Sequence, residues 1–433
     1  MLYVTNLCNI LKILSWSAIK NVVLVKKELL FILAILAVVA VSACVSSTNT
    51  QLDNGLVVNQ FSADPSSVDA EDTVSFLLDV ENVGGTTASC VVSELFGIDG
   101  WRTIEGLPLS SYGFVGGRGL TFSYIDGSFN MCYSDINTGA ASNLACFTYV
   151  KDQGVSFASF VTGAFRGFAG QFCNSFVSAD QRLRLVQFAQ QLDPPLPERN
   201  KPGQPMIRTW LLRPPLLPEG VTSDYTILAR TSFFYESNAH LNLEAWSRQE
   251  EKTRLDQGRP VTLPVVVDNS EGPIQIIVAS ARNPIVVNPQ SYSGPLQFEN
   301  VRFDFVNVGN GFPLSTSGVE LPGYSPTTER GFIFATISVS GPGVFFSDCL
   351  GQSGNEIFIT GDVVSNLVRL RGSTQSVPIA CEIAIDRSQF ATTPVASISF
   401  DINLFYRYYV DAETLVHVRG VEGLPGSAVV RYG

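Results

Sequence analysis

The sequence predicts an all-β protein made of two tandem immunoglobulin-like antiparallel β-sandwiches, the first of which carries a short helical, disulfide-containing insertion. Short runs of alternating apolar and polar residues are separated by Gly, Pro, Asn and Ser turns, a pattern typical of β-sandwiches. Long stretches of helical periodicity are almost absent, and one strand-and-turn pattern occurs twice. With 433 residues, 45% of them hydrophobic, the chain is long enough for two domains with large cores.

The charge of the chain argues against nucleic acid as a partner. The formal net charge is −11, and beyond residue 44 the only lysines are Lys151, Lys201 and Lys252. A protein that binds nucleic acid needs a basic surface that neutralises phosphates. We therefore expect no nucleic-acid partner.

Residues 1–44 are predicted to be an export signal or membrane anchor. Two lysines precede an uncharged run from Leu29 to Ala43, which is the layout of a signal peptide and is short for a permanent span. The ending "VSAC" resembles a lipoprotein signal, in which Cys44 would be lipidated, and the alternative is an uncleaved anchor helix. The polar segment 45–54 is interpreted as a linker. Both alternatives predict an extracellular chain held at the membrane by its N-terminus.

The repeated pattern is a strand followed by an Asn-Val-Gly turn, "VENVGG" at 80–85 and "VNVGNG" at 306–311. Alternation predicts that one side of each strand is buried. The predicted inward residues are Val74, Phe76, Leu78 and Val80 in the first copy and Val301, Phe303 and Phe305 in the second, with Asp79, Glu81, Arg302 and Asp304 facing outward. Asn and Gly tolerate the backbone of a tight turn.

A second repeat supports a duplication. The aromatic strands within 225–246 and 396–418 are each followed by a small polar turn and a further strand. The order of the two patterns is the same in both halves, and the first half is longer, which predicts an insertion at about 140–200. The predicted domains are 55–246 and 260–433, joined by the charged segment 247–259, for which an exposed hairpin or strand end within one domain is the alternative.

Six cysteines in the predicted extracellular part indicate disulfide bonds rather than a zinc site, because their number is even and no C-x-x-C pair occurs. Cys349 and Cys381 are alone in the second half, so we predict that they pair. The other four allow three connectivities, and the sequence does not choose among them; they are Cys90, Cys132, Cys146 and Cys173.

The insertion contains phenylalanines at helical spacing. They predict one or two short helices over 154–192, packed on the first sandwich. The alternatives are ordinary core filling and an exposed interaction patch that touches lipid or a partner. The residues of this patch are Phe157, Phe160, Phe165, Phe168 and Phe172.

The stretch "FSADPSSVDAEDTVSFLLDVENVGG" resembles the first strands of the CARDB-like, immunoglobulin-type domains of archaeal cell-surface and S-layer-associated proteins. The block 202–235, with "WLL" followed by "PPLLPEG" and an aromatic strand, is similar to members of the same group. The resemblance covers less than half of the chain. It implies an extracellular β-sandwich protein of structural or adhesive type, and it implies no catalytic residues.

No enzymatic motif accompanies these features. The only two histidines, His240 and His417, are far apart in the sequence, and neither a metalloprotease, a serine-hydrolase nor a Walker motif is present. The acidic residues Asp64, Asp69, Glu71 and Asp72 are interpreted as an ordinary turn rather than a calcium site. We expect no catalytic residue, metal or cofactor. The expected function is structural or adhesive, with other envelope proteins or cells as partners, and the alternatives are a glycan- or peptide-binding module and a filament subunit.

Overall fold

The structure is a computed structural model, and it describes most of the chain beyond the predicted linker. The described residues are 55–106, 118–125, 128–135, 142–150, 163–164, 166–167, 187–290, 294–314, 333–359, 370–371, 375–376 and 378–421. Residues 53–433 belong to one compact unit.

Strands dominate the described residues. They are β1 (Leu56–Asp64), β2 (Ser67–Asp69), β3 (Val74–Asn82), β4 (Ala88–Phe96), β5 (Arg102–Thr103), β6 (Arg118–Ile125), β7 (Ser128–Asp135), β8 (Ser142–Val150), β9 (Gln187–Leu192), β10 (Pro205–Arg213), β11 (Thr222–Ser247), β12 (Val267–Asn269), β13 (Ile274–Ser280), β14 (Ile285–Val287), β15 (Leu296–Asn307), β16 (Phe312–Leu314), β17 (Phe334–Ser340), β18 (Val344–Cys349), β19 (Gln352–Gly354), β20 (Glu356–Ile359), β21 (Leu370–Arg371), β22 (Gln375–Ser376), β23 (Ile379–Asp386) and β24 (Val395–Arg419). Helix α1 is Arg248–Asp256, and short 3-10 helices occupy Pro197–Arg199 and Arg387–Ala391.

Strands β11 and β24 pair with each other along almost their whole length, and we call this pair of strands the seam. The two strands run antiparallel and stay in register from Thr222 opposite Arg419 to Trp246 opposite Val395. Each strand comes from one of the two repeats found in the sequence. They lie at the centre of the largest sheet, whose order is β20-β17-β24-β11-β4-β9. The two halves of the chain therefore share one continuous sheet.

Two smaller sheets pack on one face of the seam sheet, one from each half. The first has the order β1-β3-β10-β5, and the second contains β13 paired with β15 and the path β19-β18-β23-β15-β22-β21. Near one end of the seam, Trp101 packs edge-on between Phe76 and Tyr225. Near the other end, Phe400 packs against Phe303, at 5.8 Å between ring centroids. This arrangement confirms the predicted all-β sandwich fold.

The junction between the halves is aromatic. Phe233 and Tyr235 of β11 and Tyr406 and Tyr408 of β24 form a cluster with centroid distances of 5.7–6.2 Å. All four side chains are buried and belong to the single hydrophobic cluster that contains core residues of both halves. Burial of such large rings supplies much of the stability of a core. The two halves of the chain therefore share one hydrophobic core.

The two Asn-Val-Gly turns make matching contacts. In the first, the Asn82 amide donates to the carbonyl oxygen of Thr86, and its Oδ1 accepts from the backbone of Gly84. In the second, Asn307 donates to Gly311 and accepts from Gly309. Each turn thus closes on its own Asn side chain, which is the reason that the sequence contains the same motif twice.

A tyrosine from the seam completes each turn. The backbone N–H of Thr86 donates to the Tyr235 hydroxyl at 3.1 Å, and that of Gly311 donates to Tyr408 at 3.0 Å. A Cβ at Gly309 would lie 2.7 Å from the Tyr408 hydroxyl, so only glycine fits there. Each turn therefore ties a smaller sheet to the seam.

The predicted faces of the two repeated strands agree with the structure except at one position. In β3 buried and half-buried residues alternate as predicted, with Val74, Phe76, Leu78 and Val80 inside. In β15 the three predicted inward residues, Val301, Phe303 and Phe305, are buried, but Asp304 is also buried at 4% exposure. The expectation that Asp304 faces solvent was wrong, because the outer side of β15 is covered at this point.

Most of segment 247–259 is helix α1, which is capped by the Ser247 side chain, an acceptor for the N–H of Glu250. One local prediction is corrected. Part of the segment 154–192, for which one or two helices were predicted, is a strand, because residues 187–192 pair with β4. Pairing with a strand distant in sequence overrides the local preference there. Residues 163–164 and 166–167 are helical, as expected for the insertion.

The disulfide prediction for the second half is confirmed. Cys349 and Cys381 lie opposite each other on β18 and β23, and their Cα atoms are 4.3 Å apart. Cys90 is also in a disulfide bond, and its partner lies outside the described side chains. Cys132 faces Cys146 in the register of β7 and β8.

Candidate functional site

The face of the seam opposite the aromatic junction is polar at its ends. Even-numbered residues of β11 and odd-numbered residues of β24 point to this side, because successive side chains of a strand alternate. Towards the end of β11, this alternation places Asn238, His240 and Asn242 on the outer face. Their partners across the seam are Asn403, Asp401 and Ser399. A polar array thus lies over the buried core of the second half.

Hydrogen bonds connect the side chains of this array. His240 Nδ1 lies 2.7 Å from Asp401 Oδ1, and His240 Nε2 lies 2.8 Å from Asn242 Nδ2. Since an amide nitrogen only donates, Nε2 accepts and Nδ1 carries the proton that is donated to Asp401. The Ser399 hydroxyl in turn donates to Asn242 Oδ1. The imidazole is therefore held in one tautomer and does not touch the serine hydroxyl, so the four groups are not arranged to activate a nucleophile.

Strand β12 extends the array by one strand and bounds a groove. It pairs with β11 so that Asp268 lies opposite His240. The Ser270 hydroxyl accepts from the backbone N–H of Asn238 at 2.8 Å, and Asn269 is tied to both backbone groups of Ile276. The groove has a volume of about 340 Å³, at the low end of small-ligand sites. Its lining residues are Asn238, Ala239, His240, Asp268, Asn269, Ser270, Asp401, Ile402 and Asn403. We call it the seam groove.

The charges of the seam groove limit what it can bind. Two carboxylates, Asp268 and Asp401, lie in it, and its described lining holds no lysine or arginine. Asp401 accepts a hydrogen bond from His240, whereas Asp268 makes no side-chain hydrogen bond with the described residues. Anionic ligands would be repelled, and apolar ligands would desolvate the polar lining at a cost. The groove is suited to a ligand that donates hydrogen bonds to carboxylates and accepts them from amides.

The second histidine lies at the opposite end of the seam. His417 Nδ1 is bonded to Asp224, again across β11 and β24. The two His–Asp pairs are similarly exposed, with side-chain exposures of 44% and 59% for His240 and Asp401 and 53% and 62% for His417 and Asp224. The β11 members of the two pairs, His240 and Asp224, are 16 positions apart, or roughly 50 Å at about 3.3 Å per residue. As the sequence indicated, the two histidines do not share a site.

Between these ends, the outer face carries a bidentate ion pair. Arg230 binds Asp411 through two parallel hydrogen bonds of 2.8 and 2.9 Å, and its guanidinium lies over the Tyr409 ring at 4.1 Å. The helical part of the insertion reaches the same face, where Arg166 donates from Nε and Nη2 to the two carboxylate oxygens of Glu236, at 2.9 and 2.7 Å. Hydrogen bonding to Glu236, and then the charge of that carboxylate, raise the pKa of Arg166 above its ordinary value.

Several predicted residues lie outside the described residues. The lipidation candidate Cys44 and the whole signal segment 1–44 are among them. So are Cys173 and every member of the predicted interaction patch, Phe157, Phe160, Phe165, Phe168 and Phe172. The predictions of an anchor and of an aromatic patch therefore stay predictions.

The acidic turn near the start of β2 is described. Asp69 bonds Arg419 at 3.0 Å. Within the described ranges no group of three or more His, Cys, Asp or Glu could hold a metal ion. Likewise, no helix in the part of the chain that the structure describes is both long and apolar enough to cross a membrane.

The seam groove was not predicted from the sequence. The available signal was the alternation of "NAHLN" at 238–242, in which apolar residues separate three polar ones on the face of a strand. The groove also needs Asp268 and Asp401, which are distant in the sequence, and only strand pairing brings them together.

Comparison with known proteins gives no family. No family model matches the chain, and no curated protein matches it. Among solved structures, one that resembles it is the crystal structure of Spo0M, a sporulation control protein from Bacillus subtilis, at 8% sequence identity. The match covers 59% of this chain and 68% of that one with a TM-score of 0.14, too low to support a conclusion.

Proposed function

We propose that the chain is a non-enzymatic, membrane-anchored protein of the cell surface with a structural or adhesive role in the envelope. The observation that carries this proposal is the seam. A 25-residue strand paired along its whole length reaches about 80 Å at about 3.3 Å per residue. The small sheets at its two ends share one core. Such an element suits a stiff spacer that holds a surface away from a membrane.

Two further features support an extracellular location. The Cys349–Cys381 bond is of the kind that persists in oxidising compartments. The export signal predicted for residues 1–44 and the lipidation of Cys44 would provide the anchor at the membrane. Other envelope proteins or neighbouring cells are the proposed partners.

Location can be tested with an amine-reactive biotin reagent that does not cross membranes. Lys201 and Lys252 are exposed on the folded chain and provide sites for the reagent. We expect both to be labelled on intact cells of the source organism, and detached envelopes to retain the protein. A cytoplasmic protein serves as the control and is labelled only after lysis. If Lys201 and Lys252 also react only after lysis, the proposed location is wrong.

A further inference from the structure

We propose that the seam groove is a binding site for an uncharged oligosaccharide. The inference deepens the adhesive form of the proposed function, since it gives the adhesive surface a ligand class. The binding itself is a property of the folded chain and does not depend on where the chain is located.

The donors and acceptors of the groove fit sugar hydroxyls. Asp268 and Asp401 offer acceptor oxygens, and the amides of Asn238 and Asn403 offer both donors and acceptors. A sugar hydroxyl does the same, donating one hydrogen bond and accepting others. Carboxylates and amides together therefore match a polyhydroxylated ligand better than one that only accepts or only donates.

The spacing of the groove is regular because three neighbouring strands build it. Asp268, His240 and Asp401 lie side by side on β12, β11 and β24, with Ser270, Asn238 and Asn403 in the next row. Strands are about 4.8 Å apart, and side chains on one face repeat at about 6.8 Å along a strand. The two rows thus spread their polar groups over an area larger than a single ion, which favours an oligosaccharide as the ligand.

The polar groups are also held in place before a ligand arrives. Asp401 is fixed by His240, which is itself fixed by Asn242, and Ser270 is held by the backbone of Asn238. Side chains that are already ordered lose less conformational entropy on binding. Asp268 is the exception: it is exposed and has no side-chain hydrogen bond among the described residues, so it is available to the ligand.

A cationic ligand is the competing interpretation, because the groove carries two carboxylates. The two possibilities differ at Asp268. A neutral sugar needs a hydrogen-bond acceptor there, which Asn still provides, whereas a cation needs the negative charge. Asp268→Asn and Asp268→Ala therefore separate the two ligand classes, and neither substitution breaks a hydrogen bond within the described residues.

The experiment uses the full chain in mild detergent and titrates it calorimetrically. The probes are uncharged gluco-, manno-, galacto- and N-acetylglucosamine oligosaccharides, with spermidine and trilysine as cationic probes. We expect at least one oligosaccharide to bind at millimolar concentration or below. Its affinity should fall about tenfold or more in Asp268→Ala and in the double variant His240→Ala/Asp401→Ala, since each removes hydrogen bonds to the ligand. Asp268→Asn should retain most of the affinity.

The matched control is the other His–Asp pair of the seam. Asp224→Ala/His417→Ala removes a pair of the same type and exposure outside the groove, and it should leave binding within about twofold of the parent, a difference of about 0.4 kcal/mol. Circular dichroism of every variant checks the fold. The inference is overturned if no oligosaccharide binds, if the control variant loses as much affinity as the groove variants, or if only the cationic probes bind. Surface labelling of intact cells is independent of these results, so a failure of this inference can be told apart from a failure of the proposed location.

Discussion

The Asn-Val-Gly turns lead to a prediction about how the two halves unfold. Asn82 is fully buried, and its side chain makes three hydrogen bonds with backbone groups of Thr86, Leu192 and Gly84, at 2.7–3.1 Å. Replacing Asn82 by Ala leaves all three backbone groups without this partner. A buried polar group that loses its hydrogen-bond partner costs about 1–3 kcal/mol. Thr86 is only partly buried, so water can replace the bond that its carbonyl loses. We therefore expect the free energy of unfolding to fall by about 3 kcal/mol.

The second turn and an exposed asparagine provide the comparison. Asn307→Ala removes the corresponding bonds to Gly311 and Gly309 and one from Tyr408, so its cost should also be about 3 kcal/mol. Among the described residues, the Asn59 side chain makes a single, exposed hydrogen bond, to Glu81, so Asn59→Ala should change stability by less than about 0.5 kcal/mol.

The assay is equilibrium unfolding in urea, followed by tryptophan fluorescence and circular dichroism. Because the halves share a sheet and a core, Asn82→Ala and Asn307→Ala should both lower the midpoint of the same single transition. The reasoning is refuted if the parent shows two transitions and each variant shifts a different one. It is also refuted if Asn82→Ala is no more destabilising than Asn59→Ala.

Three other predictions concern the stability of the fold. Replacing both Cys349 and Cys381 by Ser should lower the free energy of unfolding in urea by about 3–4 kcal/mol, because the bond closes a loop of sequence separation 32. With reductant present, parent and variant should be equally stable, and equal stability of the two oxidised proteins would contradict the prediction. Burial raises the pKa of Tyr406 and Tyr408 above their ordinary values, so the unfolded state loses its tyrosine protons first, near pH 10. Stability should be unchanged up to that pH and then fall by about 1.4 kcal/mol per pH unit for each tyrosine. A pH titration of the urea midpoint, with Tyr408→Phe as control, should show a smaller slope in the variant. A double-mutant cycle with Arg230→Ala and Asp411→Ala should give a coupling energy of about 1 kcal/mol, because the pair has bidentate geometry but is partly exposed, and a value near zero would contradict it.

Local patterns were sufficient to predict β3, β15 and the Asn-Val-Gly turns that follow them. The small polar turn predicted within each aromatic repeat was wrong, because β11 and β24 continue through it as unbroken paired strands. The alternation of Val74, Phe76, Leu78 and Val80 predicted the buried face of β3 because one side of that strand meets the core and the other does not. The Asn-Val-Gly turn was predictable because its hydrogen bonds are formed within a few residues. Helix α1 also carried a local signal, the Ser-x-x-Glu pattern of Ser247 and Glu250 at its start, of which the structure forms the hydrogen bond from the Glu250 N–H to the Ser247 side chain.

Long-range pairing was not predictable in the same way. Nothing in the alternation of β11 or β24 specifies that they pair with each other, since any two half-buried strands have compatible patterns. The shared core and the seam groove both follow from that pairing. The strand at 187–192 was missed for the same reason: its hydrogen-bond partner, β4, lies far away in the sequence.

The central claim is that the chain is an anchored, disulfide-stabilised protein of the cell surface, and the mass of the intact protein tests it most directly. The protein is isolated from the membrane fraction and its mass is measured with and without reductant. The account predicts a chain that begins at Cys44 with added lipid mass and gains about 6 Da on reduction, two hydrogens for each of three disulfides. A chain without lipid, whose mass does not change on reduction and whose cysteines react as free thiols, would contradict it.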